Sequence, residues 1–176
     1  MMLELLVIAL GMGVSYFLND VKLLSLNFEF MNTGEIAPDF LLILVIFFAL
    51  YRGEFSGLWI GFFAGLLEDG IVWYILPETG EVVPLIGIHT LIYSLTAFAI
   101  GKSNHYFDQY NSAPIVVLVL VVTLLVRLSV WTLHGLLTEF NATYSIIGPA
   151  IYTGLFSPIW FALLAWVYRI HQGENV

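Results

Sequence analysis

The chain has 176 residues, of which 60% are hydrophobic and 10% are charged, and its formal net charge is −8. Soluble domains carry about 25% charged residues, so this composition excludes an ordinary water-soluble domain. The negative charge argues against nucleic-acid binding and against a polybasic contact with anionic lipid. The absence of cysteine excludes disulfides, thiol catalysis and thiolate metal sites. Because about 20 apolar residues match a hydrocarbon core of about 30 Å, the long apolar runs predict an integral membrane protein.

The first predicted element is an apolar stretch that has no Lys or Arg before it and no small-x-small cleavage pattern. We therefore expect a retained membrane span and not a removed signal peptide. Five further apolar segments follow, and no polar interval is long enough for a separate soluble domain. The sequence thus predicts one all-α transmembrane domain, residues 1–176, built as a six-helix bundle. The predicted spans are 2–18, 38–51, 54–76, 84–101, 113–138 and 147–168.

The basic residues predict the orientation of this bundle. With six spans and a cytoplasmic N-terminus, Arg52, Lys102 and Arg169 lie on the cytoplasmic side and Lys22 lies outside. This distribution follows the positive-inside rule. We therefore expect both termini in the cytoplasm.

The first outer loop contains the sequence LNFEF at residues 26–30, in which apolar and polar residues alternate. Such alternation is compatible with an extended segment at the membrane interface. We favour an irregular loop that lies with its apolar side on the membrane.

Four glycines at one spacing mark the third predicted span: Gly53, Gly57, Gly61 and Gly65. Each four-residue step advances a helix by about 400°, so the glycines would form a stripe along one face. Because lipid gives little hydrophobic drive for helix association, close backbone packing carries it. The stripe predicts a helix-packing face. Its occupant is either another span of this chain, which such faces usually serve, or a helix of a partner protein.

A cation lies within the fifth predicted span. Arg127 is flanked by apolar residues, and a cation near the bilayer centre costs roughly 2.5–3.5 kcal/mol on insertion scales unless it pairs or lines a cavity. At 1.5 Å per residue, Arg127 lies roughly 21 Å along its span, and Glu68 and Asp69 lie roughly 24–26 Å along theirs. The similar depth predicts an intramembrane charge pair between Arg127 and Glu68 or Asp69. We favour a structural ion pair over a proton relay or a substrate-binding site.

Motifs for catalysis and cofactor binding are not found in the sequence. It contains no phosphate-binding glycine loop, no G-x-S-x-G, no H-E-x-x-H and no EF-hand loop. His89 and His134 lie in predicted spans without further ligands, so a hydrogen bond inside the bundle is favoured over a metal site. We expect no catalytic residue, no cofactor and no metal, and hence no enzymatic activity.

Three motifs occur in order between residues 38 and 102. They are a Pro-Asp opening of the second span (Pro38, Asp39), GFxxGxLxD at the end of the third (Gly61, Phe62, Gly65, Leu67, Asp69) and GxHxL at the start of the fourth (Gly87, His89, Leu91). This stretch resembles MreD, the rod shape-determining membrane protein family of bacteria. Asp69 takes the family's acidic position. The connection from Gly70 to Pro84 looks longer than is usual in the family.

The resemblance implies a non-enzymatic subunit of the elongation machinery that builds the lateral peptidoglycan wall, located in the bacterial inner membrane. It implies a fold similar to the substrate-binding subunits of energy-coupling-factor vitamin transporters. MreD proteins work with MreC, a single-span protein, and the pair engages the RodA glycosyltransferase, its class B penicillin-binding transpeptidase and the MreB filaments.

One alternative function stays open at this point. A substrate-binding subunit of an energy-coupling-factor vitamin transporter needs a small-residue docking face on its first helix and a polar outer pocket. The first span supplies part of such a face with Ala9, Gly11, Gly13 and Ser15.

Overall fold

The computed structural model describes residues 2–21, 24–27, 35–71, 73–75, 82–84, 87–107, 112–137 and 145–172. Six α-helices make up most of these residues, which confirms the all-α class. The helices are α1 (Met2–Val21), α2 (Phe40–Arg52), α3 (Glu54–Ile71), α4 (Ile88–Lys102), α5 (Ser112–Leu137) and α6 (Ile147–Gln172). A short 3₁₀ helix, Asn104–Tyr106, follows α4.

Two short antiparallel sheets connect helices at one end of the bundle. Strand β1 (Leu26–Asn27) pairs with β2 (Glu35–Ile36), and β3 (Trp73–Ile75) pairs with β4 (Val82–Pro84). The irregular loop favoured for LNFEF is therefore wrong at its first two residues, whereas 28–30 lie outside the described residues.

The second sheet also shortens two predicted helices. The span predicted at 54–76 ends as a helix at Ile71, and the span predicted at 84–101 becomes helical only at Ile88. Aromatic and β-branched residues dominate the connection, and these residue types favour paired strands over helix.

Helix α2 forms the centre of the molecule. Every residue from Phe40 to Leu50 is buried, which is the behaviour of a helix that is hydrophobic on all sides. Gly53 ends this helix with a φ of 81°, a left-handed conformation that glycine adopts without steric cost. Gly53 therefore forms the turn between α2 and α3, and its assignment to a helical stripe requires correction.

The helices pack around α2 as two pairs. The most extensive contact joins α3 to α4, and the next joins α5 to α6. Helix α2 touches both pairs, and α1 packs mainly against α2. Because α4 and α5 touch much less, the α4–α5 contact is the junction between the two pairs.

Two helices are long and apolar enough to cross a membrane, with apolar stretches at Ala113–Leu136 and Ile147–Tyr168. Leu5–Val21 and Phe40–Arg52 are shorter apolar helices. Large apolar side chains also cover the outer faces of the bundle, for example Val117, Leu125, Leu155 and Ile159. Extended exposed apolar faces of this kind mark a surface that meets a membrane or another protein. The count of six spans stays a prediction.

Candidate functional site: the polar end and the glycine seam

Two glycines of α3 lie against the backbone of α4. A Cβ placed on Gly65 would lie 2.5 Å from both the His89 carbonyl oxygen and the Thr90 Cα. A Cβ on Gly61 would lie 2.6 Å from the Tyr93 carbonyl oxygen. Real Cβ atoms do not approach backbone this closely, so the two helices can meet here only because α3 lacks side chains.

The close approach continues toward the other end of the pair. A Cβ on Gly57 would lie 3.1 Å from the Cβ of Ala49 in α2 and from the carbonyl oxygen of Ala97 in α4. On α4 itself, a Cβ at Gly101 would lie 2.6 Å from the Cα of Glu54. We call this contact, formed by Gly57, Gly61 and Gly65 of α3 and by Gly101 of α4, the glycine seam. Helix α4 of the same chain covers the seam, so a partner's helix would need another surface.

The carboxylate of Asp69 accepts hydrogen bonds from the start of α4. Its Oδ2 accepts from the backbone N–H of Gly87 at 2.8 Å and from the N–H and hydroxyl of Thr90 at 3.1 and 2.7 Å. Its Oδ1 accepts from the N–H of His89 at 2.9 Å and lies 2.9 Å from the His89 Nδ1. The first N–H groups of a helix have no partner within the helix, and the helix dipole favours an anion there. Asp69 thus caps α4 from a neighbouring helix.

The cap and the seam form one surface of α3. Gly61, Gly65 and Asp69 are spaced by four residues, so they follow each other along the same helix face. The glycines allow the α4 backbone to lie close to α3. As a result, Asp69 can bind the N–H groups at the N-terminus of α4. The GxHxL motif begins at Gly87, the residue just before α4. Gly87 has a φ of 115° and places the first residues of α4 against the Asp69 carboxylate.

A second carboxylate ties α2 to two other helices. Asp39 Oδ1 accepts from the N–H of Leu42 at 2.8 Å, which caps α2, and Oδ2 accepts from the Tyr93 hydroxyl of α4 at 2.7 Å. The Asp39 N–H donates to the Thr153 hydroxyl of α6 at 3.1 Å. The Pro-Asp motif therefore joins α2, α4 and α6.

We call the ends of the helices around Asp39 and Asp69 the polar end of the bundle. Glu68 and Asn19 also lie there. The Asn19 side chain of α1 donates to Glu68 Oε2 at 3.1 Å and accepts from the Phe40 N–H of α2 at 3.0 Å. One amide thus connects three helices.

Arg127 donates from Nη1 to the carbonyl oxygen of Ser145, just before α6, at 2.9 Å. Asp39, His89 and Arg127 all lie close enough to Glu68 to interact with it electrostatically. The charge pair between Arg127 and Glu68 or Asp69 stays a prediction, because the Asp69 contacts described above all go to the start of α4.

Sequence reasoning did not find the roles of Asn19, Tyr93 and Thr153. Each is one of several polar residues in an apolar helix, and no spacing pattern distinguishes it from a polar residue that faces water or lipid headgroups. Among the described residues, no three His, Asp or Glu side chains are grouped so that they could hold a metal ion.

We expect Tyr93→Phe to lower the free energy of unfolding by about 1–2 kcal/mol, because it removes a buried hydrogen bond to a carboxylate. Thermal unfolding in detergent measures the effect. Tyr106→Phe is the matched control, since Tyr106 is 79% exposed. Equal melting temperatures of the two variants would show that the Asp39–Tyr93 contact contributes nothing.

Comparison with known families decides where this arrangement belongs. The sequence model of a protein family, described as rod shape-determining protein MreD, matches residues 5–172, nearly the whole chain. The chain belongs to the MreD family. No curated protein and no solved structure match it. The expected likeness of this MreD to the vitamin-binding subunits therefore stays a prediction.

Family membership places this MreD at the membrane and in the determination of rod shape. The three motifs that carried the resemblance now have a physical role. Asp39 of the first, the seam glycines and Asp69 of the second, and Gly87 and His89 of the third each connect helices of the chain to one another. They position the bundle's own helices.

Proposed function

We propose that this MreD is a non-enzymatic scaffold of the elongation machinery in the bacterial inner membrane. It binds an MreC-like single-span protein and helps to position the RodA glycosyltransferase and its class B penicillin-binding transpeptidase, with a connection to the MreB filaments. The single observation that supports this most is the use of Asp69, whose carboxylate is fully occupied in capping α4. We therefore assign Asp69 the architectural role of holding the start of α4 against α3.

The packing of the helices supports a scaffold function because it holds the bundle rigid. Backbone contact along the glycine seam leaves little freedom between α3 and α4, and the Asp39 and Asn19 contacts hold α1, α2 and α6 to that pair. A subunit that positions enzymes must keep its own surfaces at fixed distances. The buried polar contacts provide that rigidity.

The ends of the helices support the proposed topology of six spans with both termini in the cytoplasm. Arg52 ends α2 and Lys102 ends α4, so both cations lie at the end of the bundle opposite the polar end. Asp39 and Asp69 lie at the polar end. An excess of basic residues on one side marks the cytoplasmic side of a membrane protein.

We also propose that Arg127 acts together with Glu68 inside the bundle. The electrostatic interaction between the two residues supports a role in fixing helix register. A carboxylate stabilises a buried cation near it, and Arg127 keeps its hydrogen bond to the carbonyl oxygen of Ser145 when that carboxylate is neutralised.

Co-purification tests the scaffold. The tagged chain is co-expressed with the MreC-type protein of the same organism, extracted in mild detergent and compared with a sample in which an unrelated single-span protein replaces MreC. We expect retention of the MreC-type protein alone. A chain that retains a vitamin and no MreC-type protein would instead be a transporter subunit.

Tryptophan substitutions on lipid-exposed positions locate the contact. Leu10→Trp, Leu125→Trp and Leu155→Trp place the same bulk on α1, α5 and α6, at side chains that are 61%, 58% and 66% exposed. We expect one of them to lose MreC while all three melt like the wild type. If none of the three affects retention, the partner does not use these faces.

A further inference from the structure

A groove lies between α1 and α6, two helices that touch little. It encloses about 170 Å³, and its lining includes Phe48 of α2 and Trp160 of α6, which are 3% and 8% exposed. Leu10 and Val14 of α1 and Leu163 of α6 also line it, and these three side chains are exposed. The groove therefore has a buried floor and opens toward the outer surface of the bundle.

The α1 side chains at the rim of this groove form a ridge. Leu10 and Val14 are four residues apart, so they follow each other on one face of the helix. Both also line a second concavity. Gly11, which follows Leu10, lines the first groove, whereas Ala9, which precedes it, lines the second together with Gly13. The ridge thus has a groove on each side, which is the kind of surface into which the ridges of a second helix pack.

The floor of the first groove contains a hydrogen-bond donor without an acceptor. Trp160 Nε1 is buried and has no hydrogen-bond partner among the residues that the structure describes. The indole contacts the Phe40 ring edge-on, with 4.9 Å between centroids, and an N–H that faces a ring makes only a weak bond. Trp160 lies near the middle of α6, roughly 18–20 Å from either end. A bilayer offers no water at this depth, so an acceptor for the N–H has to come from a protein.

We propose that the Leu10–Val14 ridge and its two grooves dock the transmembrane helix of the MreC-type partner, and that this helix carries a Ser, Thr, Asn or Gln that accepts the Trp160 N–H. The inference rests on the proposed scaffold function and adds the docking site and one feature of the partner. An acyl chain can fill one groove but has no acceptor for the indole. A helix fills both grooves with its side chains, and Ala9 and Gly13 let its backbone approach α1.

Disulfide cross-linking locates the partner helix. The chain has no cysteine, so Val14→Cys and Leu163→Cys each place a single thiol at the groove. Leu125→Cys on α5, at a side chain that is 58% exposed, is the control outside it. Each variant is co-expressed with a partner that has one cysteine at successive positions of its membrane helix, and native membranes are oxidised. We expect Val14 and Leu163 to cross-link to partner positions about three to four residues apart, and Leu125 to give no cross-link.

Cross-links from Leu125 and none from the groove would overturn the proposal. No cross-link at all, as expected for a groove filled by an acyl chain, would also overturn it, and so would a Val14–Val14 cross-link between two copies of this chain in place of one to the partner. Co-purification of the MreC-type protein separates this site from the scaffold function. If the wild type retains the partner, the scaffold stands even where the site fails, and if it retains no partner, both fail.

Trp160→Phe tests the hydrogen bond, because it keeps a ring in the groove and removes the N–H. We expect the affinity for the partner, titrated in detergent, to fall about threefold, the effect of an average interhelical hydrogen bond. The free chain should melt like the wild type or higher, since a buried donor without an acceptor is removed. Trp166→Phe is the matched control, at a position of α6 that is 65% exposed and lies outside the groove.

The partner's acceptor is tested in the same titration. Ala in place of the polar partner residue nearest to the Val14 cross-link should lower affinity by the same factor as Trp160→Phe, and the double variant should lose no more than either single variant. Equal affinities of the Trp160→Phe and Trp166→Phe proteins would overturn the hydrogen bond. The cross-links decide the docking site even where Trp160→Phe does not fold.

Discussion

Gly65→Ala is expected to lower the free energy of unfolding by about 3 kcal/mol, the upper part of the range for overpacking in a tight core. The added methyl carbon would lie 2.5 Å from the His89 carbonyl oxygen and from the Thr90 Cα. Both neighbours belong to the backbone, so no side-chain rotation relieves the clash and α4 must move away. In a chain of this size the change corresponds to a drop in melting temperature of about 6–12 °C.

Gly13→Ala is the matched control for this substitution. Gly13 also lies inside a helix, but a Cβ there meets nothing within 4 Å. Since Ala favours helix over Gly by about 1 kcal/mol, this variant should melt at the same temperature as the wild type or higher. A Gly65→Ala protein as stable as Gly13→Ala would mean that the seam is not packed as described.

The second large effect is expected for Asp69→Asn, which should cost about 1–3 kcal/mol. Both carboxylate oxygens accept hydrogen bonds, from Gly87 and Thr90 on one side and from His89 on the other. The amide of Asn has one oxygen and one NH₂ group, so one of the two acceptors becomes a donor. The groups at the start of α4 that donated to that oxygen would then face another donor and lose their hydrogen bonds. The favourable anion at the helix N-terminus is also lost. Thermal and denaturant unfolding in detergent measure this cost.

Glu68→Gln makes the same chemical change at the neighbouring position. Glu68 Oε2 accepts from the side chain of Asn19, and the amide oxygen of Gln can still accept that bond. We expect a loss below about 1 kcal/mol. The explanation of Asp69 as a helix cap fails if the two variants lose equal stability.

The sequence predicts those elements that depend only on neighbouring residues along the chain. Long apolar runs predicted six helices, and the four-residue spacing of Gly57, Gly61 and Gly65 predicted a helix face built for close packing. The occupant of that face could not be deduced, because a small-residue stripe has the same pattern whether its neighbour is α4 or another protein. The structure places α4 there.

The errors have equally physical origins. Gly53 shares the four-residue spacing, but its position after the last turn of α2 makes it a helix end with positive φ. The connection after Gly70 contains an apolar segment whose hydropathy predicts a continuation of the helix. It forms a sheet because Trp73–Ile75 pairs with Val82–Pro84. Cross-strand pairing is a non-local property that hydropathy does not report.

Helical rise predicted similar depths for Arg127, Glu68 and Asp69 but left their partners open. Helical rise fixes height along the bundle axis, but not the direction in which a side chain points. Asp69 turns toward the start of α4, and Arg127 reaches the carbonyl oxygen of Ser145. Such choices depend on which helix N-termini and carbonyls are nearby, and these are set by the assembled bundle.

The most direct test of the scaffold is an experimental structure of this chain bound to its MreC-type partner in a lipid bilayer. We predict that α4 lies on Gly61 and Gly65 in the complex, that Asp69 caps it, and that the partner's membrane helix contacts an outer face of the bundle. A partner helix seated on those glycines, with α4 displaced from them, would contradict this account.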